Sequence, residues 1–135
     1  MGVRRYRRGL LAAMVLTVCL GLASKLENAG AWANYYGGDI VYEMFWIYGL
    51  GWLKPSWRAG AIAAGVFCVT GAIEVFQLVP FPESLQAQLW WRLLLGTSFS
   101  WLDFPHYFLG CILGGLSLRW WQFRSGLDRA TFPCS

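Results

Sequence analysis

The chain has 135 residues, of which 57% are hydrophobic and 13% are charged. A soluble domain usually carries about 25% charged residues, so this composition argues against an ordinary soluble enzyme. The formal net charge of +4 would suit nucleic acid, but no nucleic-acid-binding motif accompanies it, so we expect no such partner. The four cysteines and one histidine show no zinc-site spacing, and we therefore assign no metal and no cofactor.

Four apolar segments predict an all-α integral membrane bundle of four transmembrane helices in a single domain, residues 1–135. The predicted spans are about 9–25, 38–53, 59–79 and 102–119. A spanning helix needs about 20 mostly apolar residues, which the third segment supplies by itself and the others supply with flanking residues. The first segment also fits a cleaved signal peptide, but the later spans favour a retained helix.

Residues 84–95 lie between the third and fourth spans and are too polar and too short to cross a membrane. Leu85, Leu89 and Leu93 recur at every fourth position, which predicts a helix. We expect this short helix to lie at the outer membrane interface.

The lysines and arginines orient the predicted spans. With both termini inside, the outer segments hold only Lys25 and Arg92. The inner segments hold nine basic residues, which are Arg4, Arg5, Arg7, Arg8, Lys54, Arg58, Arg119, Arg124 and Arg129. Because cytoplasmic loops are enriched in Lys and Arg, the pattern predicts cytoplasmic N- and C-termini.

This topology brings the polar side chains of the spans to one depth, near the outer face. These candidate ligand-binding residues are Asp39, Glu43, Glu74, Gln77, Arg92, Asp103 and His106. Glu43 lies one turn, about 6 Å, deeper than Asp39. Four carboxylates facing one arginine cannot all stay charged in a low dielectric, so either protons remain bound or a cation enters. We expect Arg92 to form an ion pair with Glu74 or Asp103.

One stripe of the fourth span combines Asp103 and His106 with small residues. Gly110 and Gly114 continue this stripe toward the inside. Small residues let a neighbouring helix backbone approach closely, so we assign the two glycines to helix packing. The stripe should therefore face the interior of the bundle.

The acidic cluster has three interpretations. It could be a buried hydrogen-bond network that only holds short helices together, with Asp39 and Asp103 capping their helices. It could be a binding or transport site, since ionisable residues inside a membrane are functional candidates. It could also be catalytic, with the carboxylates and His106 holding a divalent metal or exchanging protons. A Ser/His/Asp triad is discounted, because no nucleophile elbow or oxyanion feature accompanies Ser98 and Ser100.

Several short motifs occur in a recognisable order. They are Gly38-Asp39, the Ile73–Leu78 segment with Glu74 and Gln77, Arg92 with Leu95-Gly96, and Phe99–Asp103 followed by Tyr107, Gly110 and Gly114. Their order over residues 38–115 resembles the bacterial membrane family known as domain of unknown function 2809. The wider pattern is similar to the VanZ-like proteins linked to glycopeptide resistance. Glu43 and His106 match no position of that pattern.

The resemblance implies a small multi-helix protein of the bacterial inner membrane and no established enzymatic activity. The function expected from residues and resemblance together is a multi-pass protein whose outer acidic pocket binds a cationic, lipid or cell-envelope ligand. Its expected partners are membrane lipids and a lipid or glycopeptide-type ligand. The alternatives are a metal- or acid/base-dependent enzyme on a lipid-linked substrate, and an accessory structural subunit. The sequence leaves the oligomeric state open.

Overall fold

The computed structural model describes residues 2–95 and 99–127, and this part of the chain is helical without strands. The α-helices are α1 (Val3–Ala23), α2 (Gly38–Leu53), α3 (Ala59–Phe76), α4 (Glu83–Gln86), α5 (Leu89–Leu95) and α6 (Asp103–Arg124). A 3₁₀ turn (Glu27–Ala29) and a π-helical turn (Ala33–Gly37) precede α2. Within these ranges the all-α prediction is confirmed.

Four long helices form the bundle. α6 packs against both α2 and α3, and α1 packs against α2. Asp39, Glu74 and Asp103 lie at the same end of α2, α3 and α6, which we call the acidic end. The opposite end carries Arg7, Arg58 and Arg119 and is called the basic end. α2 and α6 run parallel to each other and α3 runs antiparallel to both, so the end of α3 meets the beginnings of α2 and α6.

The buried apolar core lies toward the basic end. Tyr6 and Leu10 of α1, Ile47 of α2 and Leu118 of α6 are each 0% exposed. Side chains also bind backbone carbonyls here, since Tyr6 Oη donates to Gly51 O at 3.3 Å. These contacts give the basic end its packed interior and leave the polar groups of the other end for a separate role.

The axes of α2 and α6 approach closely where α6 has no side chains. A Cβ atom at Gly110 would lie 2.7 Å from the carbonyl oxygen of Ile40 and 2.8 Å from Glu43 Cβ. A Cβ atom at Gly114 would lie 2.8 Å from Ile47 Cδ1. Glycine at position 110 is therefore a steric requirement of this helix pair, whereas at Gly114 the nearest atom is the end of the Ile47 side chain.

Two helices are long and apolar enough to cross a membrane, among the residues that the structure describes: Val3–Ala23 and Ala59–Phe76. The prediction of four spans is therefore supported only for these two. α2 has 16 residues, about 24 Å at 1.5 Å per residue, which is shorter than the hydrocarbon layer. α6 has 22 residues, but it begins with Asp103 and ends with Arg124.

The stretch predicted as one interfacial helix over 84–95 contains two short helices, α4 and α5. The backbone N–H of Ala87 donates to Glu83 O at 2.9 Å, and that of Gln88 donates to Leu85 O at 3.2 Å. The helical hydrogen bonds thus end at residues 87–88 and restart in α5.

The close approach at Gly110 predicts a specific stability difference. Gly110→Ala should destabilise the fold by about 1–3 kcal/mol, because the new methyl group overlaps the Ile40 carbonyl. Gly65→Ala, in the middle of α3, should instead be neutral or stabilising by about 0.5–1 kcal/mol, since nothing lies within 4 Å of a Cβ there. Thermal unfolding of purified protein followed by circular dichroism measures both changes. Equal melting temperatures for the two variants would contradict the close approach.

Candidate functional site

Three carboxyl groups from three helices meet at the acidic end. Asp39 of α2 lies close enough to Asp103 of α6 and Glu74 of α3 to interact with both electrostatically. The Asp103 carboxyl interacts electrostatically with the Glu74 carboxyl and lies near the Ser100 side chain. Asp39, Glu74 and Asp103 are named the acidic site from here on.

Glu74 is the central member of the acidic site and is 2% exposed. Its Oε1 accepts the backbone N–H of Ser100 at 2.9 Å. Its Oε2 accepts from Gln77 Nε2 at 3.2 Å and from Tyr107 Oη at 3.2 Å. Both oxygens are therefore hydrogen-bonded, so Glu74 connects α3 with α6 and with the segment that enters α6.

The other two carboxyls are more accessible than Glu74. Asp39 and Asp103 are each partly exposed, whereas Glu74 lies beneath them in the bundle. Neighbouring carboxylates repel one another unless a proton or a cation offsets their charge. The acidic site can therefore accept positive charge through Asp39 and Asp103.

Lys25 and His106 are the positive or protonatable neighbours that act on Asp39 in the described part of the chain. Lys25 is exposed and its Nζ donates to the Asn34 carbonyl at 2.6 Å. The loop after α1 thus brings one ammonium group to the edge of the acidic site. This one ammonium group cannot balance the charge of all three carboxyls of the acidic site.

His106 lies among aromatic rings beside the site. Its ring stacks on Tyr36 with centroids 4.2 Å apart and planes 5° apart, and the Trp32 ring is 5.8 Å away. Its Nδ1 lies 2.7 Å from the Leu102 carbonyl oxygen. Because a carbonyl only accepts, Nδ1 carries the hydrogen and donates it. The π-helical turn therefore holds this imidazole in a fixed orientation.

Glu43 belongs to a second polar layer, one turn deeper. Its side chain is 0% exposed, and Oε2 accepts the Cys111 S–H at 3.0 Å. The carboxyl also adjoins the Thr70 side chain, while Oε1 has no hydrogen-bond partner. The two layers come from the same helices at four-residue spacing: Asp39 and Glu43, Glu74 and Thr70, Tyr107 and Cys111.

Arg92 does not join these layers in the described structure. It is exposed on α5, and neither the hydrogen-bond partners of Glu74 nor the interaction partners of Asp103 include it. The expected ion pair with Glu74 or Asp103 is therefore not formed. The backbone N–H of Ser100 and the Tyr107 hydroxyl occupy the Glu74 oxygens, so hydrogen-bond donors replace the expected guanidinium.

The structure thus brings together Asp39, Glu74, Gln77 and Asp103, places Glu43 one turn below and His106 beside them, and leaves Arg92 outside. The sequence pattern did not mark Lys25, Tyr36 or Cys111 as members of the site. Cys111 follows Tyr107 by four residues, and this spacing could have placed it on the face of α6 that meets Glu43. In the described residues, no group of three or more His, Cys, Asp or Glu side chains has the geometry to hold a metal ion.

The hydrogen bonds of Glu74 lead to a stability prediction. Glu74→Gln should destabilise the fold by about 1–3 kcal/mol, because one amide end would present hydrogens to groups that themselves donate. Glu83→Gln on the exposed surface of α4 makes the same charge change and should leave stability unaltered. Thermal unfolding in detergent compares the two variants with the wild type. A Glu74→Gln protein as stable as Glu83→Gln would argue against this connecting role.

The family model described as "Protein of unknown function (DUF2809)" matches residues 28–111. The matched segment contains the acidic site, Glu43 and the Gly110 contact, and it begins after α1. No curated protein and no solved structure matches the chain. Since the match covers more than half of the sequence, the chain belongs to the DUF2809 family.

Proposed function

We propose that the protein is a multi-pass membrane protein in which α1, α2, α3 and α6 all cross the bilayer. Only 17% of the α1 span and 33% of the α3 span are buried inside the bundle. Large apolar side chains on α6, such as Phe108, Leu113 and Leu116, are also exposed. An apolar surface of this extent is typical of helices that face lipid.

The π-helical turn supports the proposal that α2 crosses the bilayer. Its five residues lead directly into α2, because Gly37 and Gly38 both have right-handed helical backbone angles. The continuous helical segment is therefore more than one turn longer than α2 alone. Following the positive-inside rule, we propose that the acidic end faces outward and that both termini lie in the cytoplasm.

We propose that the function of this membrane protein is to bind a positively charged group at its acidic site. The observation that supports this proposal is the convergence of Asp39, Glu74 and Asp103 from three helices. Glu74 is already hydrogen-bonded through both oxygens. Asp39 and Asp103 keep accessible oxygens at the mouth of the bundle, where a cation would offset the repulsion among the carboxyls.

The ligand class that suits this position is the cationic head group of a lipid or cell-envelope compound. A site at the end of a membrane bundle lies level with lipid head groups and cell-envelope material. The VanZ-like spacing of the sequence motifs agrees with a cell-envelope ligand. The competing role is purely structural, and the hydrogen bonds of Glu74 are the observation that favours it.

The proposed topology predicts the accessibility of two positions. In a chain whose native Cys19, Cys68 and Cys111 are replaced by Ala, Cys134 should react with an impermeant maleimide only after cells are permeabilised. A chain that also lacks Cys134 and carries Glu27→Cys should react in intact cells, because Glu27 is exposed beyond α1. Labelling of Cys134 in intact cells would contradict four spans with inward termini.

The proposed binding site predicts a stabilising effect of a soluble polyamine. Spermidine should raise the melting temperature of the wild type, because a ligand that binds only the folded state stabilises it by RT ln(1 + [L]/Kd). Asp39→Asn and Asp103→Asn should each remove most of this shift by removing one carboxylate. Melting curves recorded at increasing spermidine concentration measure the effect.

Glu27→Gln is the matched control for those variants, since it removes one exposed carboxylate near the same end. It should keep the wild-type response to spermidine. If the wild type does not respond to spermidine, the structural role is favoured. The structural role is also favoured if Glu27→Gln and Asp103→Asn reduce the response to the same degree.

A further inference from the structure

A cavity of about 350 Å³ lies at the basic end of the bundle. Its volume falls within the range of about 300–1,000 Å³ that is usual for small-molecule sites. The turn that joins α2 to α3, the first turn of α3 and the end of α6 all contribute to its lining, and we call it the basic cavity. The lining residues used below are Trp57, Arg58, Gly60, Ala61, Arg119 and Gln122.

Two arginines from different elements line the basic cavity. Arg58 is the residue immediately before α3, and Arg119 lies near the end of α6. Among the described residues, neither Asp nor Glu contributes to the lining. A guanidinium group presents a planar fork of N–H donors that matches two oxygens of a phosphate. The side chains of the basic cavity therefore favour an anion.

The start of α3 adds backbone donors to the same cavity. The first hydrogen bond of α3 runs from the Ile62 N–H to Arg58 O at 3.1 Å, so the N–H groups of residues 59–61 have no partner within the helix. No side chain of the described residues caps this end. A Cβ added at Gly60 would meet no described atom within 4 Å. An anion can therefore approach the amides of Gly60 and Ala61, in the direction that the helix dipole favours.

A buried hydrogen bond holds together the two segments that carry the arginines. Gln122 is 5% exposed, and its Nε2 donates to Trp57 O at 2.7 Å. Trp57 directly precedes Arg58, and Gln122 follows Arg119 by three residues, which places these two residues of α6 on neighbouring positions of one face. The fold thus shapes the basic cavity before a ligand binds, which lowers the cost of ordering the site.

We propose that the basic cavity binds a terminal phosphate group. Arg58 and Arg119 bind its oxygens through their guanidinium groups, and the N–H groups of Gly60 and Ala61 donate to it from the helix. A phosphate monoester carries about 1.5 to 2 negative charges near pH 7. Two guanidinium groups together with the positive end of α3 match this charge.

Two sources carry such a phosphate group. One is free phosphate in the surrounding water, and the other is an anionic lipid such as phosphatidic acid. In the proposed topology the basic end is level with the lipid head groups of the cytoplasmic leaflet, so only the lipid source rests on the proposed membrane insertion. The inference is independent of cation binding at the acidic site, because the two sites lie at opposite ends of the bundle.

The test measures thermal unfolding of the full chain in phosphatidylcholine nanodiscs, without phosphate in the buffer. One series adds inorganic phosphate at constant ionic strength, and the other replaces part of the lipid with phosphatidic acid. At a concentration well above Kd, the effective source should raise the melting temperature by about 5 °C. Sodium chloride in the first series and oleic acid in the second should each give less than half of that shift. A shift with phosphatidic acid alone identifies a lipid phosphate, whereas a shift with inorganic phosphate shows that the group itself is sufficient.

A first set of variants removes one positive charge each. Arg58→Gln and Arg119→Gln should each lose most of the phosphate-induced shift. Arg124→Gln is the matched control, because Arg124 is also exposed near the end of α6 but does not line the cavity. It should keep the wild-type shift.

A second pair of variants tests the backbone donors without changing the charge. Gly60→Leu should abolish the shift, because its side chain covers the amides at the start of α3. Gly65→Leu lies farther along α3 and should retain the shift. A Cβ added at either glycine meets no described atom within 4 Å, so both variants should fold.

Three outcomes would overturn the inference. The absence of a shift with both phosphate sources would exclude a phosphate site. An equal shift with oleic acid and phosphatidic acid would show a general effect of negative surface charge. An Arg119→Gln protein that responds as fully as Arg124→Gln would place the phosphate outside the basic cavity. Asp39→Asn should keep the phosphate response, so a failure of the acidic site is read separately from a failure of this one.

Discussion

The close approach of α2 and α6 at Gly110 is the constraint on which the polar interior depends. With no side chain at this position, the α6 backbone lies against the Ile40 carbonyl and the Glu43 side chain. That contact sets Cys111 beside Glu43 and brings the first turn of α6 toward Asp39. α3 contributes one residue to each polar layer: Glu74 to the layer at the acidic end and Thr70 to the layer one turn deeper. The positions of the carboxyls therefore follow from backbone packing more than from any ion pair.

Helix content and the convergence of the acidic site could be predicted from the sequence, because both depend on patterns along single helices. Asp39 and Asp103 begin two helices that enter the bundle from the same end, and Glu74 lies near the end of the helix that returns to it. The loss of the Arg92 pair could not be predicted, since a backbone N–H at Ser100 competes for the same oxygen. The stacking of His106 on Tyr36 could not be predicted either, because it depends on a π-helical turn that no residue pattern marks.

The two buried glutamates, Glu74 and Glu43, differ in how many hydrogen bonds stabilise their carboxyl groups. Glu74 is surrounded by donors from the backbone, an amide and a phenol, so its oxygens are stabilised within the fold. Glu43 receives one weak donor, the Cys111 thiol, and one of its oxygens is left without a partner. A fully bonded carboxyl fixes structure, whereas a half-bonded one leaves part of the cost of its burial unmet. The bundle thus holds a fully bonded and a half-bonded carboxyl one helical turn apart.

The π-helical turn before α2 also fixes the rotational phase of the segment that enters the bundle. A π turn contains about one residue more than an α turn, and each α-helical residue corresponds to about 100° of rotation. Trp32, just before this turn, and Tyr36, within it, both lie against the His106 ring. Deleting one residue between Ala33 and Gly37 would swing Trp32 about 100° around the helix axis away from the imidazole. The length of the segment Ala33–Gly37 is therefore a constraint on the surroundings of His106, in addition to the Tyr36 ring itself.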